Sequence, residues 1–331
     1  MNDHQKNGQH KDNMYDVIII GAGPGGMAAG MYAARAKLKS IVLEKGLPGG
    51  QINNTGLIED YPGFTSIDAR ELALKMEEHA KHFGTVFKTV ETTGVRKVGE
   101  IFEVQTTEGL MTAKTVILAT GGSPNYLGCP GEMDFQKKGV SYCAICDGPL
   151  PLFRNKPMVV VGGGDSAVEE GMFLAKYASK VYLVHRRNEL KASQILQDRL
   201  MAEPKMEVIF DSVVDSVGGN EVVEWVQVHN LKTKQTRKIE AGALFIFIGF
   251  KPNSGIVKDP LKMDDKGHVI TTQNMMTSIS GLFAIGDLRQ QLTRQITNAV
   301  GDGTTAAVAA EKYIHGQLQA WEAAAYQGQA R

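Results

Sequence analysis

The chain has 331 residues, of which 43% are hydrophobic and 22% charged, which is enough for two core-bearing domains of ordinary globular composition. Its 36 basic residues balance 36 acidic ones, so no net electrostatic field attracts it to nucleic acid or to an anionic membrane. We therefore expect neither as a partner.

The beginning of the chain is polar. Residues 1–14 have no apolar core like that of a secretory signal, and no later run reaches the ~20 apolar residues that a membrane span requires. We interpret residues 1–14 as a disordered tail. Three cysteines are too few for the disulfide framework of a secreted domain. The sequence thus predicts a cytoplasmic protein, in which a disulfide would be catalytic or sensing.

A strand, a glycine-rich turn, a helix and a second strand follow from Tyr15 in YDVIIIGAGPGGMAAGMYAARAKLKSIVLEK. Gly21, Gly23 and Gly26 have the G-x-G-x-x-G spacing. The first makes the tight turn, the second lets backbone approach a pyrophosphate, and the third lets the helix pack on the strand. Glu44 ends the second strand, where a carboxylate binds the ribose hydroxyls of FAD or NAD. This unit predicts a dinucleotide site.

The pair Cys143 and Cys146, in SYCAICDGPL, allows three interpretations. A zinc site needs about four ligands, and Cys129 supplies no second pair. Buried inert thiols are common, but the Asp147-Gly-Pro sequence makes a polar turn and not a core strand. A thiol in C-x-x-C can have its pKa lowered to ~7 or below, which yields thiolate for disulfide exchange. A redox-active disulfide is therefore favoured, and Cys129 is interpreted as structural.

A second glycine-rich unit begins at Lys156, in KPMVVVGGGDSAVEEGMFLAKYASKVYLVHRR, with Gly162, Gly164 and Ala167 in the motif positions. Two copies in the same strand and helix context indicate two dinucleotide sites. The second strand of this unit ends in a basic cluster: His185, Arg186, Arg187 and, one turn on, Lys191. Such a cluster would bind a 2′-phosphate and favour NADPH over NADH. The alternative is a solvated basic turn.

Two downstream segments complete the first unit. Gly286 and Asp287 follow an apolar strand in GLFAIGDLRQ, before a helix rich in small residues, and VILATGG ends at Gly121 and Gly122. Together they resemble the flavoprotein disulfide-reductase pattern. In that pattern the aspartate accepts a hydrogen bond from the FAD ribityl chain, and the helix directs its N-terminus at the flavin. The resemblance implies an FAD domain split by an inserted NADPH domain.

The order of GAGPGG, GGQ, EDYPGF, ATGG, YCAICDG, VGGGDSAVEE, HRR, AIGD, RQ and GDGTTAA is similar to that of the low-molecular-weight thioredoxin reductases, from about Tyr15 to Leu318. This resemblance implies an α/β fold with two Rossmann-like dinucleotide-binding domains. We expect a first FAD segment at 15–123, an NADPH domain carrying the C-x-x-C pair at 124–248, a second FAD segment at 249–318 and an extension at 319–331.

The resemblance also implies roles for individual residues. Cys146 faces the flavin, Cys143 exchanges with the protein substrate, and Asp147 donates a proton. The residues assigned to FAD are Gly21, Gly23, Gly26, Glu44, Gln51, Thr55, Gly121, Gly286, Asp287, Arg294 and Gln295. Those assigned to NADPH are Gly162, Gly164, Ser166, His185, Arg186, Arg187 and Lys191. Two positions depart from the family pattern: Asp60 replaces a common asparagine, and Lys191 replaces an arginine.

The implied activity is electron transfer from NADPH through FAD and the cysteine pair to thioredoxin or a thioredoxin-like protein. Because both partners of the flavin belong to the inserted domain, we expect a hinge motion about 121–128 and 249–254. Two alternatives stay open at this point. One is a related reductase with a protein electron donor such as ferredoxin, and the other is a non-enzymatic flavin redox sensor.

The last thirteen residues exceed the family pattern. They include Trp321 and Tyr326, whose rings are costly to expose and can stack on a flat surface. Our hypothesis is that this extension docks at the flavin or against a second subunit of a homodimer. The alternative is a frayed end of the terminal helix.

Overall fold

The computed structural model describes residues 14–54 and 57–318. Thr55 and the extension with Trp321 and Tyr326 lie outside the described residues. The first half of the chain forms β1 (Tyr15–Ile20), α1 (Pro24–Arg35), β2 (Ser40–Glu44), β3 (Leu57–Ile58), β4 (Ile67–Asp68), α2 (Ala69–His82), β5 (Phe87–Thr89), β6 (Thr92–Val98), β7 (Ile101–Thr106), β8 (Gly109–Leu118), β9 (Gly122–Pro124), β10 (Val140–Ser141), α3 (Ala144–Asp147), β11 (Pro157–Val161) and α4 (Asp165–Ala175).

The second half forms β12 (Lys180–Val184), α5 (Gln194–Ala202), β13 (Met206–Ile209), β14 (Ser212–Gly218), β15 (Trp225–Asn230), β16 (Thr236–Glu240), β17 (Ala243–Ile246), β18 (Phe250–Pro252), β19 (Leu282–Ala284) and α6 (Ile296–Ile314). Two short 3-10 helices span Gly50–Asn54 and Gly286–Leu288. Among the described residues, no helix has the length and apolarity to cross a membrane.

The chain divides into two compact units. The first comprises residues 14–53, 69–123 and 251–318. The second comprises residues 54, 57–68 and 124–250. The strands β9 and β18, which carry the chain from one unit to the other and back, pair with each other.

The first unit is built on a parallel sheet in the order β5-β2-β1-β8-β19, with the antiparallel strands β7 and β6 continuing from the first half of β8. This order is that of a dinucleotide-binding fold, 3-2-1-4-5. The apolar run of β1 is buried from Val17 to Ile20, as expected for a strand covered on both faces. Helix α1 begins with Pro24, which has the φ angle that a first helical position requires.

The second unit has a five-stranded parallel sheet in the order β10-β17-β11-β12-β13. The middle strand β11 is apolar throughout, and β17 is buried at all four positions. Three antiparallel strands, β14, β15 and β16, form a separate sheet in this unit. The fold class predicted from the sequence, α/β with two Rossmann-like domains, is confirmed.

Residues 57–68 lie between two segments of the first unit in the sequence but group with the second unit. Leu57 packs on the core of the second unit, which includes Ala144 and Leu150, and β3 contacts α3. The sequence predicts these residues as part of the first FAD segment, 15–123. Besides Leu57, the hairpin buries Ile58 and Ile67.

Candidate functional site

The glycine-rich turn of the first unit leaves no room for side chains at two positions. A Cβ atom on Gly21, whose φ is +106°, would lie 2.3 Å from the Ala119 carbonyl oxygen, and one on Gly26 would lie 1.8 Å from the Gly21 carbonyl oxygen. Gly23 differs, because a Cβ there would meet nothing within 4 Å. Gly23 is the N-cap of α1 and provides no side-chain cap, so the first-turn amides are open to a phosphate.

Glu44 supports this turn from the end of β2. Its Oε2 accepts a hydrogen bond from the Ala22 amide at 2.8 Å, and its Oε1 accepts one from the Gly46 amide at 3.0 Å. Gln51 donates from Nε2 to the Gly122 carbonyl oxygen at 2.8 Å, next to Gly121 with its φ of +56°. Glu44, Gln51 and Gly121, which the sequence assigns to FAD, therefore lie in the turns at the carboxyl edge of the sheet. Dinucleotides bind at this edge in such folds.

The turn after β19 is held by residues that the sequence interpretation missed. Buried Asp302, on α6, accepts hydrogen bonds from the Gly286 amide at 3.0 Å and from Arg289 Nε at 2.8 Å. Gln291 donates from Nε2 to the Gly286 carbonyl oxygen at 2.9 Å. Beside them, burial raises the pKa of Asp287, and the Arg294 charge opposes this effect. The motif GDGTTAA contained Asp302, but only the fold reveals its partners.

Arg294 lies in a chain of side-chain contacts. Its Nη2 is 2.8 Å from His268 Nε2, and His268 Nδ1 is 3.2 Å from Asp264 Oδ2. A guanidinium can only donate, so Nε2 accepts and Nδ1 carries the proton towards Asp264. Burial and the Arg294 charge lower the pKa of His268, in agreement with a neutral ring. Gln295, the neighbour of Arg294, is the N-cap of α6 and makes no side-chain cap bond.

In the second unit, His185 lies beneath the glycine-rich turn. Its Nδ1 is 2.8 Å from the Gly162 carbonyl oxygen, and its ring would clash with a Cβ on Gly163 at 2.2 Å. Because a carbonyl only accepts, Nδ1 carries the proton. The residue is 8% exposed, and its Nε2 has no hydrogen-bond partner among the described residues. The structure thus separates His185, which supports the turn, from the exposed arginines beside it.

The rest of the basic cluster lies on a loop tied to the same turn. The Lys191 amide donates to the Gly163 carbonyl oxygen at 2.7 Å, and the Ser193 amide donates to Asp165 Oδ1 at 2.7 Å. Arg186, Arg187 and Lys191 are exposed, and no acidic side chain of the described part of the chain forms an ion pair with them. Ser166 is exposed in the first turn of α4. This is a suitable environment for a phosphate.

The cysteine pair forms a disulfide, Cys143–Cys146, at the start of α3. Cys143 is the N-cap, and its Sγ accepts a hydrogen bond from the Cys146 amide at 3.2 Å. The Ser141 hydroxyl donates to Asp147 Oδ2 at 2.5 Å. Burial raises the pKa of Asp147 to about 6, so at neutral pH a useful fraction of this carboxyl can hold a proton.

The third cysteine lies in a different environment. Cys129 is a free thiol packed beside the second core of the unit, and burial together with the Glu132 charge raises its pKa to about 11. Buried Glu132 accepts hydrogen bonds from the Tyr142 hydroxyl at 2.8 Å and from the Gly128 amide at 2.6 Å. A thiol with so high a pKa forms little thiolate, as expected for a structural cysteine.

Both glycine-rich turns fit the dinucleotides that the sequence predicts. Each has positions where a Cβ would collide with backbone, an N-cap glycine without a side-chain cap, and a helix that begins at the turn. The first unit offers the acceptor Glu44 and the second offers exposed arginines. The two sets of side chains match the ribose hydroxyls of FAD and the 2′-phosphate of NADPH, respectively.

Comparison with known proteins identifies the family of this chain. The family model described as pyridine nucleotide-disulphide oxidoreductase matches residues 15–303. A thioredoxin reductase from Peptoclostridium acidaminophilum is 41% identical over 93% of this chain and 99% of the relative. The crystal structure of a thioredoxin reductase from Streptococcus pyogenes has a TM-score of 0.88 and 46% identity, covering 92% of this chain and 99% of that one.

A ferredoxin-flavin thioredoxin reductase from Clostridium acetobutylicum is more distant, with a TM-score of 0.50 and 29% identity over 92% of this chain and 99% of that one. The chain belongs to the pyridine nucleotide-disulphide oxidoreductase family. Within that family it groups with the thioredoxin reductases, so the resemblance drawn from the motifs is confirmed. It is an enzyme, an oxidoreductase with FAD and NADPH as its cofactors.

Proposed function

We propose that the protein passes electrons from NADPH, by way of FAD and the Cys143–Cys146 disulfide, to the disulfide of thioredoxin or a thioredoxin-like protein. The observation that carries this proposal is the disulfide itself, which lies beside a carboxyl of raised pKa in the unit that bears the exposed basic cluster. When bound, FAD takes up the hydride of NADPH and provides the two electrons that open the disulfide.

The cysteines then exchange disulfides with the substrate. The Cys143 thiolate attacks one substrate sulfur and forms a mixed disulfide. The Cys146 thiol then loses its proton and attacks Cys143, and the two substrate sulfurs leave as a dithiol after taking up that proton and one from solvent. The hydrogen bond from the Cys146 amide to Cys143 Sγ favours the thiolate at Cys143. One substrate disulfide is reduced for each Cys143–Cys146 disulfide that forms again.

Asp147 supplies the proton that this chemistry requires. Two electrons convert the disulfide to two thiolates. A proton from the Asp147 carboxyl converts one of them to a thiol and leaves the Asp147 carboxylate. A carboxyl with a pKa of about 6 can give up and regain this proton near neutral pH.

The roles of the residues that bind the two cofactors complete the proposal. The first-unit residues Gly21, Gly23, Gly26, Glu44 and Gln51 would hold FAD, with Gly121, Gly286, Asp287, Arg294 and Gln295 in the neighbouring turns. The second-unit residues Gly162, Gly164, Ser166, Arg186, Arg187 and Lys191 would hold NADPH, with His185 supporting the turn from below. We also expect the enzyme to act as a homodimer in the cytoplasm.

Serine variants of the two cysteines test the proposal. Cys143→Ser and Cys146→Ser should each abolish NADPH-dependent reduction of thioredoxin and keep FAD bound and reducible by NADPH. The measurements are a coupled assay with a panel of thioredoxins and the flavin absorbance spectrum. Cys129→Ser is the matched control and should retain activity. Thioredoxin reduction by the Cys143→Ser variant at the wild-type rate would refute the proposal.

The ferredoxin-linked relative makes the electron donor worth a separate test. Anaerobic mixing of the FAD-loaded enzyme with NADPH should bleach the flavin within seconds, because the second glycine-rich turn and its arginines are intact. A flavin that stays oxidised with NADPH, but is bleached by a reduced ferredoxin, would assign the enzyme a protein donor instead.

A further inference from the structure

His268 ends a tight turn of the first unit that begins at Asp264. The Asp264 amide donates to the His268 carbonyl oxygen at 2.9 Å, and Asp264 Oδ1 accepts hydrogen bonds from the Lys266 amide at 2.9 Å and the His268 amide at 2.8 Å. The other carboxylate oxygen, Oδ2, is 3.2 Å from His268 Nδ1. One buried carboxylate thus fixes both the backbone and the ring of His268, whose side chain is 5% exposed.

The residue after this turn joins it to the segment that leads to α6. The Val269 amide donates to the Leu288 carbonyl oxygen at 3.0 Å, and the Gln290 amide donates to the Val269 carbonyl oxygen at 2.9 Å. These bonds hold His268 beside the chain that approaches Arg294. The free side of the ring meets that arginine, with Nε2 at 2.8 Å from Arg294 Nη2. The contact joins residues 26 positions apart and is set by the fold.

The contact between the two side chains requires a neutral ring. A guanidinium can only donate, so a proton on His268 Nε2 would remove the acceptor and place a second cation beside Arg294. Burial and the Arg294 charge lower the pKa of His268 below its ordinary value. The ring is therefore neutral near pH 7, and it becomes charged only when the pH falls through this lowered pKa.

The charges around the ring come from three elements. They are Asp264, Asp265 and Lys266 in the turn, Asp287, Arg289 and Arg294 in the segment before α6, and Asp302 in α6. The Asp264 charge raises the pKa of His268 and the Lys266 charge lowers it. Burial opposes ionisation of Asp264, but the hydrogen bonds from the His268 and Lys266 amides hold its pKa below the usual range. Asp264 therefore stays ionised over the range in which a histidine titrates.

We propose that His268 is a positioning residue for the FAD site: its neutral ring holds the Arg294 guanidinium in place for FAD, and protonation of the ring releases the guanidinium. This inference rests on the proposed function, in which Arg294 is one of the residues that would hold FAD. A cation just before the N-terminus of α6 is opposed by the helix dipole, and the His268 acceptor offsets that opposition. The expected consequence is an affinity for FAD that falls in acid.

The first test measures release of FAD from the full-length, FAD-loaded enzyme. The enzyme is diluted in steps, and the free flavin that passes an ultrafilter gives the dissociation constant. His268→Phe keeps a ring but removes the acceptor, and should raise this constant about fivefold to tenfold at about pH 7.5. His268→Gln offers an amide oxygen in place of Nε2 and should stay within about threefold of wild type. His79→Phe, at an exposed histidine of α2, is the matched control and should change nothing.

A double-mutant cycle shows whether His268 acts through Arg294. Arg294→Ala should itself weaken FAD binding. In that background His268→Phe should add less than about a twofold change, because the guanidinium that the ring positions is gone. An effect of His268→Phe that is equally large with and without Arg294 would indicate packing alone and would overturn the inference. Arg294 is exposed, so Arg294→Ala should fold.

The acid dependence provides a test that does not need the phenylalanine variant. Nitrogen-15 NMR of labelled histidine in the wild-type holoenzyme should show His268 Nε2 unprotonated near neutral pH, and it gives the midpoint of the ring. Between about pH 7.5 and pH 5 the dissociation constant of wild type should rise at least about threefold more than that of His268→Gln, which has no titrating ring. Asp287 titrates in both proteins, so the comparison isolates His268. Equal acid dependence in the two proteins, or a proton on Nε2 at neutral pH, would overturn the inference.

NADPH-dependent reduction of thioredoxin, measured with excess FAD, tests the proposed function separately. An enzyme with the expected dissociation constants that does not reduce thioredoxin would contradict the electron route and support the role of His268. Normal thioredoxin reduction with the same affinity for FAD in wild type, His268→Phe and Arg294→Ala would overturn the role of His268 and leave the proposed function intact.

Discussion

Arg186 and Arg187 are the residues proposed to select NADPH over NADH. Their guanidinium groups are exposed and form no ion pair with the described acidic side chains, while backbone bonds hold their loop against the glycine-rich turn. On most of a protein surface, an exposed arginine without an ion-pair partner is simply solvated by water. At the end of β12 their loop is hydrogen-bonded to the turn that precedes α4, and there we propose that the two arginines bind the 2′-phosphate of NADPH.

Replacing Arg186 and Arg187 together by alanine should raise the KM for NADPH much more than that for NADH. The lost charge-assisted hydrogen bonds are worth ~1.5 to 3 kcal/mol each, and NADH has no 2′-phosphate to lose them. Steady-state kinetics with both nucleotides measure the difference. Arg199→Ala, at an exposed arginine of α5, is the matched control. Equal changes in the two KM values would show that the cluster is only a solvated turn.

At the scale of elements, the packing of α1 and the turn that precedes it depends on close backbone contacts. Gly303 of α6 faces Gly25 of α1, where a Cβ on Gly303 would lie 2.2 Å from the Gly25 carbonyl oxygen. Gly26 meets the Gly21 carbonyl oxygen even more closely. Gly23, between them in the motif, is free of such contacts in the protein. The glycines of one motif therefore serve two different purposes.

Alanine at Gly26 and at Gly23 should separate these purposes. Gly26→Ala should lower the stability of the FAD-free protein by about 1 to 3 kcal/mol, because the Cβ overpacks the turn. Gly23→Ala should leave that stability within about 1 kcal/mol of wild type and weaken FAD binding by obstructing the pyrophosphate. Thermal unfolding of the FAD-free variants and titration with FAD distinguish the two. Equal destabilisation by both would contradict the assignment.

The sequence predicts those elements whose information is local. The strand, turn and helix at Gly21 and at Gly162 follow from apolar runs and glycine spacing, and the C-x-x-C pair follows from its polar turn. Contacts between distant segments were not predictable. The Gly286 amide donates a hydrogen bond to Asp302, sixteen residues further along the chain, and β3 of the 57–68 segment contacts α3. The sequence predicts His185 as a member of the exposed basic cluster. It does not show that the side chain at this strand end turns inward, under the glycine-rich turn.

At the scale of the whole molecule, the core of the first unit reaches to Leu318, which is 2% exposed and packs with Ala310 and Phe283. Truncation after Leu318 should therefore preserve folding and FAD content. If the removed extension contributes to a homodimer, the mass in solution should fall towards that of one chain, as light scattering would show. A truncated protein with unchanged mass, flavin spectrum and rate of reduction by NADPH would contradict a docking role for the extension.

The path of the chain between its two units has a consequence for synthesis. The parallel sheet of the second unit is complete once β17 has been made, and its early contribution, residues 57–68, has by then already left the ribosome. The first unit must wait for β19 and for α6, which packs on α1 about 270 residues earlier in the chain. Gly286 and Asp302 belong to these last segments. Nascent chains stalled with only residues 1–260 exposed should then protect the second unit from protease while failing to retain FAD, so the flavin enters a protein whose second unit has already folded.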